Sequence, residues 1–187
     1  PTAIILNKVG IAYHQSGNLD NAKKYYDRAI KLNRSYAEAY NNVGTVHYAR
    51  KSYRRAVSSY KKALKLAPNS ASVHSNLGTA YFARKDYKRA VQEYEIALQL
   101  DPEVFEHRST QGTILQERAV EERAKFHYYL ARTYAKAGRT ELALQYIRKS
   151  LEEGFKDRRK YMEDVEFEPL RKLPEFELLM KLEPRVL

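Results

Sequence analysis

Glycine returns every 34 residues at Gly10, Gly44 and Gly78, each behind an apolar residue (Val9, Val43, Leu77) and three places ahead of a ring (Tyr13, His47, Tyr81). The same interval carries Ala22, Ala56 and Ala90, then Tyr26, Tyr60 and Tyr94, then Ala29, Ala63 and Ala97, and ends at Pro68 and Pro102, with Arg34 in the first proline position. A fixed period of this length is the mark of a repeat array, in which one supersecondary unit is stacked on copies of itself. Within each unit the apolar residues fall at helical spacing in two stretches, separated by short polar turns such as Ser16-Gly17-Asn18 and Lys85-Asp86. With only 7 Gly and 6 Pro in 187 residues, the chain lacks the turns that a β-sandwich or barrel needs.

The chemistry of the columns dictates helix pairs. Small residues let two antiparallel helices approach to about 8–10 Å, and the tyrosine rings fill the space beside them. A helix of about 14 residues is marginal alone in water, so each must bury its apolar stripe against its partner and the next unit.

These columns resemble the tetratricopeptide repeat, carried by residues 6–32, 40–66 and 74–100. The resemblance implies an all-α, right-handed α-solenoid of antiparallel helix pairs, with contiguous repeats at 3–36, 37–70 and 71–104. Gly112, Ala124, Tyr128 and Ala131 continue the 34-residue register, but that reading places Arg108 and Gln111 in core positions and supplies no turn before Tyr128. Shifting the fourth repeat to 124–157 aligns Leu130, Ala131, Tyr134, Ala143 and Ile147 and restores a turn at 137–140, at the expense of Ser150 in an alanine column. Residues 105–123 then form an insertion, whose Thr113–Arg123 stretch is expected to extend the next helix backward. Residues 158–187 lose the repeat. Phe167-Glu168-Pro169-Leu170-Arg171 and Pro174-Glu175-Phe176 resemble the closing segment of many bacterial arrays, with Phe155, Tyr161, Phe167, Leu170, Phe176 and Leu179 expected to cover the last helix pair. Ala3-Ile4-Ile5-Leu6 runs into the first helix with no such cover, which predicts further repeats upstream and head-to-tail self-association of this helix.

No catalytic motif emerges. Cysteine is absent, which removes thiolate metal sites and cysteine nucleophiles, and there is no Gly-rich phosphate loop, nucleophile elbow or paired-histidine zinc motif. His47, His74 and His127 occupy framework columns and are expected to be packed rather than ligating, so no cofactor or metal is expected and the chain is not read as an enzyme. No run of 18 apolar residues suggests a membrane span.

What remains is binding. The resemblance implies that the first helix of each pair lines a concave groove, where the non-core residues include Asn7, Lys8, Ile11 and His14, then Asn42, Thr45 and Tyr48, then Asn76, Thr79 and Phe82, then Tyr128, Tyr129, Arg132 and Lys136. Asn42 and Asn76 share a column where the family often places an amide against a ligand backbone. Alanine at both is expected to leave melting intact while weakening a partner by about 1–3 kcal/mol. The clamp that one subgroup uses for the carboxylate tails of heat-shock chaperones is not reproduced: its places hold Asn7, Ile11, Asn42, Ser72 and Asn76, and only Asn42 matches. The resemblance thus implies a non-catalytic scaffold for an extended or helical segment of another protein, with Lys8, Lys125, Arg132 and Lys136 favouring an acidic one. A competing reading comes from the net charge of +11, since residues 1–70 hold 13 Lys/Arg against 3 Asp/Glu. Lys23, Lys24, Arg28, Lys31, Arg54, Arg55, Lys61, Lys62 and Lys65 fall on or just before the second helices, where they would offer nucleic acid or an anionic surface a convex basic face. A regulatory array attached to a larger enzyme is a third reading; nucleic acid ranks behind a protein partner.

Overall fold

A computed structural model describes residues 1–105 and 120–182, which contain ten α-helices, two short 3₁₀ turns and no strand. The chain forms two compact units, Pro1–Ile114 and Leu115–Leu187.

The first unit holds three helix pairs: α1 (Ala3–Gln15) with α2 (Leu19–Leu32), α3 (Ala37–Ala49) with α4 (Tyr53–Leu66), and α5 (Ala71–Ala83) with α6 (Tyr87–Leu100). Side-chain caps start three of these helices: Thr2 accepts from the Ile5 amide, Asn18 from that of Asn21 and Asp86 from that of Arg89. The turns inside the pairs need a left-handed residue, supplied by Gly17 in the first and by Lys51 (φ 57°) and Lys85 (φ 62°) in the next two. The glycine columns have a second physical cause. A Cβ on Gly10 or Gly78 would stand 2.5 Å from the ring of Tyr26 or Tyr94, and Gly44 meets Tyr60 the same way. Those three rings are buried beside Ala22, Ala56 and Ala90, locking each second helix onto the first. Successive pairs join where α2 packs on α3 and α4 on α5, which makes the unit a helical solenoid. Phe105 is buried too, edge-on to Tyr94 at 5.4 Å. Ile4 and Ile5 on α1 are exposed.

The second unit pairs α7 (Val120–Lys136) with α8 (Thr140–Glu152). Leu130, Ala131, Tyr134, Ala143 and Ile147 are fully buried, and Gly138 takes the left-handed turn position. Ser150, in its alanine column, is buried and donates to the Ala124 carbonyl at 2.7 Å, so the extra hydroxyl is satisfied rather than left unpaired. Residues 120–123 are helical; the rest of the backward extension, with Gly112, lies outside the described residues. After α8 come α9 (Arg159–Glu163), the 3₁₀ turns Val165–Phe167 and Leu170–Lys172, and α10 (Pro174–Met180). Tyr161, Phe167, Leu170, Phe176 and Leu179 are buried, and Tyr128 lies flat on Phe155 with centroids 4.5 Å apart and an 8° interplanar angle. The segment after α8 therefore buries the apolar face of the α7/α8 pair, as the sequence predicts.

Candidate functional site

The residues picked out by sequence for partner contact lie on α1, α3 and α5 in the first unit and on α7 in the second. On α1, Lys8 is exposed, with Ile11 and His14 half-buried one and two turns further along. Asn7, beside them, is buried and occupied. It donates to Glu38 Oε1 at 2.9 Å and to the Tyr36 hydroxyl at 3.4 Å, and its own carbonyl oxygen accepts from Asn42 Nδ2 at 2.9 Å. Tyr36 in turn donates to Glu38 Oε2, and its phenol is pushed up to about 12 by burial and by this carboxylate.

The same bond recurs one repeat later, where Asn76 Nδ2 donates to Asn41 Oδ1 at 3.0 Å. Asn76 is 0% exposed and Asn42 6%. Neither amide is turned outward to a ligand backbone, which corrects the sequence expectation. Adjacent first helices run close enough for an Asn on one to reach an Asn on the next, 35 residues along, and a buried amide takes the donor or acceptor that geometry offers. These pairs tie α1 to α3 and α3 to α5. The expectation that alanine at both positions spares stability falls with it. Ser75, in the Asn7/Asn41 column, has a buried hydroxyl with no partner among the described residues.

Around this ladder, Thr45 turns its hydroxyl back to the Asn42 carbonyl at 2.8 Å, and Thr79 lies 3.4 Å from the Tyr94 hydroxyl. Both threonines are buried. Tyr48 is half-buried with its ring 5.2 Å from that of Tyr53; Phe82 is buried, edge-on to Tyr87 at the same distance. The exposed or half-exposed residues of this face are therefore Lys8, Ile11, His14 and Tyr48. His14 titrates below its ordinary value because burial disfavours its charged form.

On α7 the expected cation is already engaged. Arg132 donates to Glu166 Oε1 at 2.7 Å, and the Tyr128 hydroxyl donates to Asp164. Arg171 holds the backbone of this acidic segment through the Asp164 carbonyl at 2.6 Å and the Tyr161 carbonyl at 3.2 Å. Burial opposes ionisation of Glu166, but the Arg132 hydrogen bond and the nearby charge of Lys136 outweigh it and hold the carboxyl below its usual range. Tyr129 is half-buried against Tyr128. Sequence reading placed Arg132 and Lys136 toward an acidic partner; within this unit the acidic group they meet is the chain's own.

Two of the three framework histidines are hydrogen-bonded through their rings. His74 Nδ1 lies 2.7 Å from Glu93 and its Nε2 2.9 Å from the Pro68 carbonyl, while His127 Nδ1 lies 2.7 Å from Glu153. Among the described residues no group of three or more His, Asp or Glu could hold a metal ion, and no helix is long and apolar enough to cross a membrane.

Comparison with known proteins agrees with this architecture. No curated protein sequence matches the chain. Among solved structures, that of MamA superposes with a TM-score of 0.55 at 20% identity, covering 81% of this chain and 77% of that one. The first TPR of Spaghetti (RPAP3), bound to the HSP90 peptide SRMEEVD, superposes with a TM-score of 0.55 at 26% identity over 56% of this chain and 85% of that one. Two family models described as tetratricopeptide repeat match the sequence, one over residues 1–69 and the other over 44–104 and 113–157. The chain belongs to the tetratricopeptide repeat family.

Proposed function

We propose that this chain is a protein-interaction scaffold whose first unit takes an extended or helical segment of a partner along α1, α3 and α5. The observation that carries the reading is the Spaghetti repeat domain, 26% identical over 56% of the chain, which holds a peptide. In this reading Lys8, Ile11, His14 and Tyr48 meet the ligand directly. Asn42, Thr45, Asn76, Thr79 and Phe82 lie beneath and fix the spacing of the three helices, so their contribution to binding is positional. Lys8 favours a carboxylate on the partner, and Tyr48 offers apolar area with a polar end. Asn42, the one position that matches the chaperone-tail clamp, spends its amide on Asn7, so the partner is read differently from SRMEEVD. Within the second unit, Tyr129, Arg132 and Lys136 on α7 take a partner's acidic group only when it displaces Glu166. In this reading the chain divides into repeats at 3–36, 37–70, 71–104 and 124–157, with an insertion at 105–123 and a closing segment from 158.

Selection of random peptides displayed on phage against the immobilised chain, washed at high salt to remove charge adhesion, tests the proposal. Selected peptides are expected to lose tenfold or more in affinity with Ile11→Glu or Tyr48→Ala. Peptides whose binding ignores both substitutions overturn the reading.

A further inference from the structure

The turns inside the second and third helix pairs carry one basic hexapeptide twice: Arg50-Lys51-Ser52-Tyr53-Arg54-Arg55 and Arg84-Lys85-Asp86-Tyr87-Lys88-Arg89. The first pair has Ser16-Gly17-Asn18-Leu19-Asp20-Asn21 in its place. Two of the eight cations are neutralised locally, Arg50 by Asp20 and Arg89 by Asp86, the latter through Nε at 2.6 Å. The other six, Lys51, Arg54, Arg55, Arg84, Lys85 and Lys88, are exposed and form no ion pair among the described residues, although the charge of Arg84 also reaches Asp86.

Two features set this edge apart from an ordinary solvated helix face. Lys51 and Lys85 both sit in the left-handed region, at the turn position that glycine fills in the first and fourth pairs. An L side chain is disfavoured there relative to glycine, so both lysines are held against a local backbone penalty, in the same two repeats that carry the hexapeptide. The tyrosine of each hexapeptide packs its ring on the preceding helix, Tyr53 on Tyr48 and Tyr87 on Phe82, which anchors both basic turns to the solenoid. The cations thus form a row of two fixed clusters one repeat apart.

We propose that this edge of the first unit binds the phosphodiester backbone of nucleic acid without reading its sequence. Half of the six unpaired cations are arginines, whose planar forks match phosphate oxygens two at a time. Two successive clusters suit a polymer of regularly spaced anions better than one carboxylate. Membrane attachment would call for apolar area beside the charge, and no large exposed apolar side chain lies in either hexapeptide. The edge adjoins the peptide face on α1, α3 and α5 through Tyr48 and Phe82, but none of its cations belongs to that face, so substitutions confined to the cations test the edge alone.

The test is fluorescence anisotropy of labelled 30-nucleotide single strands and duplexes of unrelated sequence, titrated with the full chain over a sodium chloride series. The variant Arg54→Gln/Arg55→Gln/Lys85→Gln/Lys88→Gln is compared with Lys24→Gln/Lys31→Gln/Lys62→Gln/Lys65→Gln, which removes equal charge from the outward faces of α2 and α4. The turn variant is expected to lose tenfold or more in affinity at the lowest salt and to flatten the log–log salt slope for single strands by about 3, at about 0.7 per phosphate. The outer-face variant is expected to lose less than threefold. A second variant, Lys51→Gly/Lys85→Gly, relieves backbone strain and is expected to melt higher yet bind less, a combination that a purely structural role does not produce. Equal losses in the turn and outer-face variants, unchanged affinity in the turn variants, or retention only by phosphatidylserine vesicles or polyglutamate overturns the proposal.

Discussion

Placing one methyl group on Gly44 pits helix propensity against packing. An alanine Cβ there meets three atoms of the Tyr60 ring closer than 3.0 Å, where carbon atoms settle at about 3.5–4.0 Å. Tyr60 is fully buried beside Ala56 and Ala63 and has little room to retreat. Overpacking costs about 1–3 kcal/mol, and three contacts inside 3.0 Å put this one at the upper end, about 2–3 kcal/mol, while replacing a mid-helix glycine by alanine gains about 1 kcal/mol. Gly44→Ala therefore destabilises by about 1–2 kcal/mol. In a Tyr60→Val background, which removes the ring, only the propensity gain survives, so the same substitution stabilises by about 1 kcal/mol and the coupling energy is about 2–3 kcal/mol. Urea unfolding followed by helical circular dichroism reads the difference, with slopes compared because an array need not unfold in one step. At slopes of about 1–3 kcal/mol per molar, the midpoint falls by roughly 0.5–1 M. A midpoint that rises for Gly44→Ala in the native background refutes the packing argument.

Asn42→Ala strands the buried carbonyl oxygen of Asn7 and lowers stability by about 1–3 kcal/mol, read by the same unfolding curves; an unchanged midpoint removes the ladder's structural role. Lys51→Gly, at a left-handed residue, stabilises by about 1 kcal/mol, and calorimetry that shows a lower melting temperature contradicts the strain. His127 titrates below its ordinary value because burial, opposed by Glu153, disfavours its charged form. The folded state then binds fewer protons than the unfolded chain, so the contribution is present above the unfolded value of about 6.5 and is lost as pH falls through it. His127→Gln accordingly flattens the stability loss between pH 7 and pH 5, and a variant with the native pH slope sinks that assignment.

The 34-residue columns made the helices legible because each column has one local cause: glycine and alanine where rings press, tyrosine where a pair needs filling. The asparagine ladder was written there too, since Asn7 and Asn41 fall in one column and Asn42 and Asn76 in the next. The bonds step across 35 residues instead of 34, and counting along one column reads Asn42 and Asn76 as outward neighbours instead of halves of two different pairs. The partners of Arg132 and Tyr128 were not legible. Glu166 and Asp164 lie past residue 157, where the period ends, and no spacing rule says which carboxylates of an irregular segment fold back on a helix. The pairing of His74 with Glu93 and of His127 with Glu153 was half visible: the columns marked both histidines as packed but named no acceptor.

Where a bound segment lies is read most directly by photo-crosslinking a selected peptide to chains carrying benzoylphenylalanine at position 11, 48 or 58. Positions 11 and 48 border the proposed face on α1 and α3, and position 58 is exposed on α4. Adducts at 11 and 48 with none at 58 are the result expected for binding along the first helices. Adducts confined to 58 contradict it.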